Sequence, residues 1–254
     1  MKVLCVGDVV GISGVDYLCK KLPWIKKEHN IDVCIVNGEN SDKSGVGITR
    51  HSAETIFTYG ADVITTGNHC FRRTTDDFFN ENPFVLAPAN FPCTFDDIGM
   101  CTLNLGKYQI DVFNILGVAY LEPIDNPFVT LDKLLKKSTS KFKILDFHAE
   151  STAEKRAMGF YADGRISAIF GTHTHVPTAD ASILPKNTGY ITDIGMTGPS
   201  NSVIGVEAEL AIKKQKYHTP VQFKVSENPC VLNGVIFHLN NSTGMCDKVE
   251  PIYC

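Results

Sequence analysis

The sequence predicts an α/β protein, either a sandwich or a doubly wound sheet, with some antiparallel strands. Two observations carry this. In the N-terminal part, short β-branched runs alternate with segments whose apolar residues recur at helical spacing, as in βαβ units. Toward the C-terminus, strand-like runs follow one another with little helix between them, which adds antiparallel members.

The elements follow in order. "KVLCVG" (2–7) reads as a strand, and the segment around 15–28 as a helix with Tyr17, Leu18, Leu22 and Ile25 on one face. "DVCIVN" (32–37) is the next strand, 52–60 a helix closing at Gly60, and "ADVITT" (61–66) a third strand. A helix over 74–80 is expected, capped by Thr74 or Thr75. Residues 101–116 read as two strands joined at Gly106-Lys107. A helix over 129–137, a strand over 143–147, a helix over 152–161 and a strand over 166–171 come next. Strands are expected at 189–194, 221–225 and 230–240, with a helix near 205–214.

At 254 residues, without repeats or a Pro/Gly/Ser-rich linker, the chain is read as a single domain over 1–254. The net charge of −4 leaves no basic track of the kind nucleic-acid binding needs. Lysines cluster at 133–143 and 213–216, where they read as solvated helix faces. No run approaches the roughly 20 apolar residues that span a bilayer. Nine cysteines, Cys93 among them, form no C-x-x-C pair, and Cys5 and Cys34 lie inside apolar runs. Such usage implies a reducing compartment, so the expected location is cytoplasmic.

The chemistry is concentrated after the strands. Asp8 follows the first, Gly38-Glu39-Asn40 the second and Gly67-Asn68-His69 the third; His148 follows 143–147 and "GTHTH" (171–175) ends the next. In open α/β sheets, ligands bind outside the carboxyl ends of the strands. Parallel strands would therefore gather these residues in one cleft. Asp, Glu, Asn and His without a thiolate suit Mn, Fe, Zn or Mg. The set exceeds what one tetrahedral ion uses. It points to two cations, roughly 3.5–4 Å apart, clamping a displacement at phosphorus or a carbonyl. Glu39 is placed to bridge them.

Simpler readings compete with this one. A lone histidine after a strand is ordinarily a hydrogen-bonded structural residue, and His29, His51, His218 and His238 are read that way. His173 and His175 differ: residues two apart on a strand face one side, and in a turn the preceding glycine gives the backbone the freedom to aim both at one point. A dinucleotide-binding domain is disfavoured: Gly7, Gly11 and Gly14 have the wrong spacing, and Asp8 would face the pyrophosphate. "SGVG" (44–47) lacks the Lys-Ser/Thr of a P-loop. Arg165 and "MTGPSNS" (196–202) are candidates to border the cleft, with a solvated loop arginine and an ordinary connection as the favoured readings.

The order Asp8, "GEN", "GNH", His148, "GTHTH" resembles the calcineurin-like metallophosphoesterases. Val10 stands where that family's first motif has a histidine, and "NGEN" replaces G-D-x-x-D. Both departures occur together in the YmdB-like subfamily, which "GDVVG", "PANFP", "DFHAE", "GTHTHVPTAD" and "ITDIGMTGP" also resemble. The resemblance implies mixed β-sheets sandwiched by helices (αββα). It implies one metal held by Asp8, Glu39, Asn40 and His175, a second by Glu39, Asn68, His148 and His173, and Glu39 bridging. The metals would be iron or manganese. His69 would stay off the metals, face the scissile phosphate and protonate the leaving group. The implied substrates are small phosphodiesters, notably 2',3'-cyclic nucleotides, and a homo-oligomer is implied as well. A phosphomonoesterase or nuclease of the same fold, and a metal-containing regulatory protein, are the alternatives.

Overall fold

The computed structural model describes residues 1–92 and 98–254, so Cys93 lies outside the described residues. The elements in chain order are β1 (Lys2–Val6), β2 (Asp8–Val9), α1 (Gly11–His29), β3 (Val33–Asn37), α2 (Arg50–Thr58), β4 (Val63–Thr65), α3 (Asp76–Glu81) and β5 (Val85–Leu86). Then come β6 (Met100–Asn104), β7 (Gln109–Leu116), α4 (Pro127–Lys137), β8 (Phe142–His148), α5 (Thr152–Ala162) and β9 (Ala168–Thr172). The chain closes with β10 (Ser182–Ile183), β11 (Gly189–Ile191), β12 (Met196–Pro199), α6 (Ala208–Tyr217), β13 (Cys230–Leu239) and β14 (Cys246–Tyr253).

These strands build two sheets. One has eight strands in the order β2-β12-β13-β1-β3-β4-β5, with β14 paired to β13. The other has six, β10-β11-β9-β8-β7-β6. Strands β1, β3, β4 and β5 run parallel, as do β7, β8, β9 and β11. Both sheets are thus mixed, as the sequence predicts.

Strand alternation explains the layers. Leu4, Val6, Cys34 and Val36 pack under α1 and α2 with Leu18, Leu22 and Ile25. Their neighbours Val3, Cys5, Val33 and Ile35 turn the other way and meet Ile110, Val112, Phe142 and Ile144 of the second sheet. The intervening residues Phe113, Ile115, Leu145 and Phe147 pack with α4 and α5. Both faces of the central strands are buried, so these strands read as near-continuous apolar runs. The result is the αββα sandwich.

Helix ends follow capping chemistry. Thr49 and Ser52 form a reciprocal capping box on α2, Asn126 precedes Pro127 on α4, and Ser151 caps α5. Gly60 closes α2 at φ +113° by donating to Phe57 O. Two expectations need correction. Thr75 occupies the N-cap position of α3 without a side-chain cap, while Thr74 Oγ1 donates to Cys70 O. Residues 221–225 form no strand: Val225 makes one bridge to Val206 and packs on Gly11 and Gly45, leaving Phe223 exposed. Conversely, Met196–Pro199, read as loop from its Gly and Pro, pairs with both β13 and β2.

Candidate metal centre

The centre is the polar end of the inter-sheet layer. On β8, Phe142, Ile144, Asp146 and His148 share one face by period-two alternation. The first two are apolar core; the last two end it. On β3 the same parity gives Val33, Ile35 and then Asn37, and on β9 it gives Ala168, Phe170 and Thr172. Asp146 Oδ2 accepts from Thr65 Oγ1 at 2.5 Å and from Asn37 Nδ2 at 3.0 Å. Asp146 Oδ1 accepts from Thr172 Oγ1 at 2.7 Å. One buried carboxylate therefore ties both sheets together immediately below the cluster. Burial raises its pKa to about 6 against the pull of His148 and these three donors.

All eight residues singled out in the sequence lie together. His148 Nε2 stands 3.2 Å from Glu39 Oε1, 3.1 Å from Asn68 Oδ1 and 3.0 Å from His173 Nδ1. Asn40 Nδ2 stands 3.3 Å from Glu39 Oε1 and 3.2 Å from His175 Nε2, while Asn40 Oδ1 meets His69 Nδ1 at 2.9 Å. Asp8 Oδ2 accepts from the backbone N–H of His173 at 3.2 Å. Asp8 Oδ1 is 3.9 Å from both His148 Nδ1 and His175 Nε2. Asp8, Glu39, Asn40 and His148 are buried; the His69 side chain is 28% exposed, the most of the cluster's histidines.

Hydrogen bonds fix which ring nitrogen of three of these histidines faces the cluster. Thr172 Oγ1 gives its proton to Asp146, so it accepts from His148 Nδ1 at 2.9 Å. His173 Nε2 donates to Glu150 Oε2 at 3.1 Å, and His175 Nδ1 donates to Ile204 O at 2.8 Å. The remaining nitrogens, His148 Nε2, His173 Nδ1 and His175 Nε2, point into the cluster, the arrangement metal-binding histidines use; in the metal-free chain a proton on His148 Nε2 takes the place a metal would fill and is shared with His173 Nδ1.

Whether these residues fit a metal can be tested on the donors themselves. With metal–ligand bonds near 2.1 Å, ligand atoms around one ion lie roughly 3.0–3.4 Å apart. The three His148 Nε2 distances fall in that range. Glu39, His148 and His173 offer ligand atoms within 4.8 Å of one another. Asp8 Oδ1 is buried and, among the described residues, has no hydrogen-bond partner. A Cβ on Gly67 would lie 2.3 Å from Glu39 Oε2 and from His148 Nε2, so the bare glycine keeps this space open. The donor set fits metal ions. Asn40 would present its oxygen to the Asp8–His175 side on a half-turn of its amide.

The electrostatics agree. Burial works against ionising Glu39, yet His148 and His69 hold it well below the usual carboxylate range. Burial raises Asp8 despite His175 and His148. Burial opposes a charged His148, but Glu39 and Asp8 outweigh it and carry the ring up to about 9. Burial, then His148, pushes His173 down to about 3. The two carboxylates favour positive charge at this point, whether a proton or a cation supplies it.

Several supporting residues escaped the sequence reading: Asp146, Thr172, Glu150, Lys155 and Asp193. Asp146 and Asp193 carried a signal, a carboxylate inside or next to an apolar strand run. Arg165 lies away from the cluster, paired with Asp132. Ser200 and Ser202 line a cavity of about 220 Å³ beside His175, so part of "MTGPSNS" does border the centre.

A two-sheet sandwich with Asp, Glu, Asn and His gathered at the strand ends of both sheets defines a metallophosphoesterase architecture. The model of the YmdB-like protein family matches residues 4–252, and the chain belongs to that family. It is 40% identical over 255 residues to the 2',3'-cyclic-nucleotide 2'-phosphodiesterase of Bacillus subtilis (strain 168), covering 99% of this chain and 96% of that one. A crystallised Mycoplasma pneumoniae phosphatase superposes with a TM-score of 0.93 at 35% identity, covering 100% of this chain and 93% of that one. A Thermus thermophilus protein of known structure gives 0.93 at 33% identity, covering 100% and 99%.

Proposed function

We propose that the chain is a two-metal phosphodiesterase of small phosphodiesters, with 2',3'-cyclic nucleotides as the substrate class. The observation that carries this is the convergence of His148 Nε2, His173 Nδ1, Asn68 Oδ1 and Glu39 Oε1 on one point. The activity named for the Bacillus subtilis relative supports the substrate class. Glu39, Asn68, His148 and His173 would hold one metal and Asp8, Glu39, Asn40 and His175 the other, with Glu39 shared between them. Iron or manganese is the ion we assign, with zinc and magnesium as alternatives the donors also accept.

Two such cations supply Lewis acidity toward the phosphoryl oxygens and a nucleophile from water near neutral pH. The protein orients the reaction around them. Asp8 and Glu39 bring only two negative charges against two divalent ions, which leaves a surplus of positive charge for a phosphodiester anion. His69 reaches the open side of the cluster. With the Asn40 amide turned so that its oxygen faces the metal, its NH2 donates to His69 Nδ1, which puts the ring proton on Nε2 for delivery to the leaving alkoxide. Residues 1–254 act as one domain in this reading, because each sheet contributes ligands. No helix among the described residues is long and apolar enough to cross a membrane. A cytoplasmic setting suits the free cysteines, of which Cys5 and Cys34 are buried with thiol pKa values raised chiefly by that burial.

The test is hydrolysis of 2',3'-cyclic AMP by purified protein with and without Mn²⁺, alongside His148→Ala. Metal-dependent turnover that disappears in the variant supports the reading. No turnover with Mn²⁺, Fe²⁺ or Zn²⁺ overturns it and leaves a metal-binding protein. The Mycoplasma relative favours a phosphomonoesterase as second reading; a faster rate on p-nitrophenyl phosphate than on its bis ester would select that one.

A further inference from the structure

The turn that carries His173 and His175 is backbone-strained. His173 has φ +98° and His175 φ +65°, a region that residues with a Cβ rarely occupy. Two neighbouring histidines do not adopt it unless the surroundings impose it. Thr174, between them, shows what does. Its backbone N–H donates to Asp193 Oδ2 at 3.1 Å and its Oγ1 to the same oxygen at 2.8 Å. Lys155 Nζ, from α5, meets that oxygen at 2.7 Å, and both side chains of the pair are at most 2% exposed. Asp193 Oδ1 accepts from Gly195 N at 2.8 Å. Its backbone is committed too: the N–H donates to Thr178 Oγ1 and the carbonyl accepts from Thr178 N, both at 3.0 Å.

The close approach behind this arrangement is itself built in. A Cβ on Gly171 would fall 1.8 Å from Thr192 O and 3.1 Å from Lys155 Cδ. Only a glycine at the end of β9 lets the 192–195 segment and the lysine stem sit against the start of the turn.

We propose that Asp193, neutralised by Lys155, is a positioning residue. It grips Thr174 so that the two flanking imidazoles are turned toward different metals. The inference rests on the two-metal reading above. A buried ion pair is weak evidence for stability in general. Here the carboxylate makes no contact with a ligand atom, yet three of its four side-chain contacts hold the segment from Thr174 or the turn at Gly195. Lys155 cancels its charge, so the clamp adds no net negative charge beside Asp8 and Glu39.

The experiment is equilibrium dialysis of Mn²⁺ into the metal-free, full-length chain, with metal content measured per chain and melting followed without metal. Thr174→Val removes only the hydroxyl and should weaken Mn²⁺ binding by roughly 10–100-fold, the usual effect of losing such a support. Asp193→Asn should do the same, and Thr174→Ser should stay near wild type. Where Asp193→Asn fails to fold, Thr174→Val carries the test. The proposal is overturned if Thr174→Val binds two Mn²⁺ as tightly as wild type, even with a lowered melting temperature. That result leaves the metal reading intact. A wild-type chain that takes up no Mn²⁺, Fe²⁺ or Zn²⁺ overturns both.

Discussion

His148 Nε2 and His173 Nδ1 lie 3.0 Å apart, and the other nitrogen of each ring is committed, to Thr172 and to Glu150. In the metal-free chain a proton on His148 Nε2 joins the two rings, and a bound cation would replace it. His148→Ala should therefore lower metal content from two ions toward one or none per chain, and abolish turnover with it. Metal analysis by mass spectrometry checks this. An inactive variant that keeps two tightly bound ions would refute the role.

Gly67→Ala is a sharper probe because it adds one methyl and removes nothing. Its Cβ would meet Glu39 Oε2 and His148 at 2.3 Å. Overpacking of this kind costs about 1–3 kcal/mol, and here the displaced atoms are the proposed ligands. We expect a folded protein with a lower melting temperature and Mn²⁺ affinity reduced more than for a surface Gly→Ala control. Unchanged affinity would mean that the glycine serves only the turn.

His69→Ala should separate proton transfer from metal binding. Loss of a general acid costs roughly 10²–10⁴ in kcat, while metal content should stay at the wild-type value. The defect should shrink on a substrate whose leaving group needs no protonation, such as a nitrophenyl ester. An equal defect on both substrates would contradict the assignment.

The acid–base behaviour of the metal-free protein has a definite sign. His148 rises from 6.5 to about 9, so its contribution is complete below 6.5 and is lost as pH climbs through 9. The shift corresponds to about 3 kcal/mol. Asp146 moves from 3.8 to about 6, mainly by burial, so its ionisation also lowers stability across that lower window. Melting temperature without metal should fall between pH 6.5 and 9, and His148→Ala should flatten that fall. Metal-loaded protein should lack it, because the cation replaces the proton. A metal-free melting temperature that climbs over this range would reverse the sign.

The reach and limits of the sequence reading have physical causes. Asp8, Glu39, Asn68, His148 and the H-T-H pair were legible because each follows an apolar run that can only be a buried strand, and parallel strands bring their ends together. The same logic failed at 221–225, where V-Q-F-K-V alternates correctly but makes only the bridge between Val206 and Val225. It failed in the opposite sense at Met196–Pro199, where partners far away in sequence, β2 and β13, impose a strand on residues with poor strand propensity. Nothing local in the sequence distinguishes Lys155 from a helix-surface lysine. Its burial depends on Asp193, 38 positions later, a pairing no local pattern encodes.

The carboxylate of Asp146, bonded to Thr65 and Asn37 on one sheet and Thr172 on the other, closes a seam. The proposed ligands lie across that same seam: Asp8, Glu39, Asn40 and Asn68 come from one side, His148, His173 and His175 from the other. An ion bound there works as a rivet through both plates of the sandwich. Each tenfold rise in free ion above the dissociation constant adds about 1.4 kcal/mol to the resistance of the plates to parting. The stability of this end of the molecule would then depend on the ion supply as well as on the sequence.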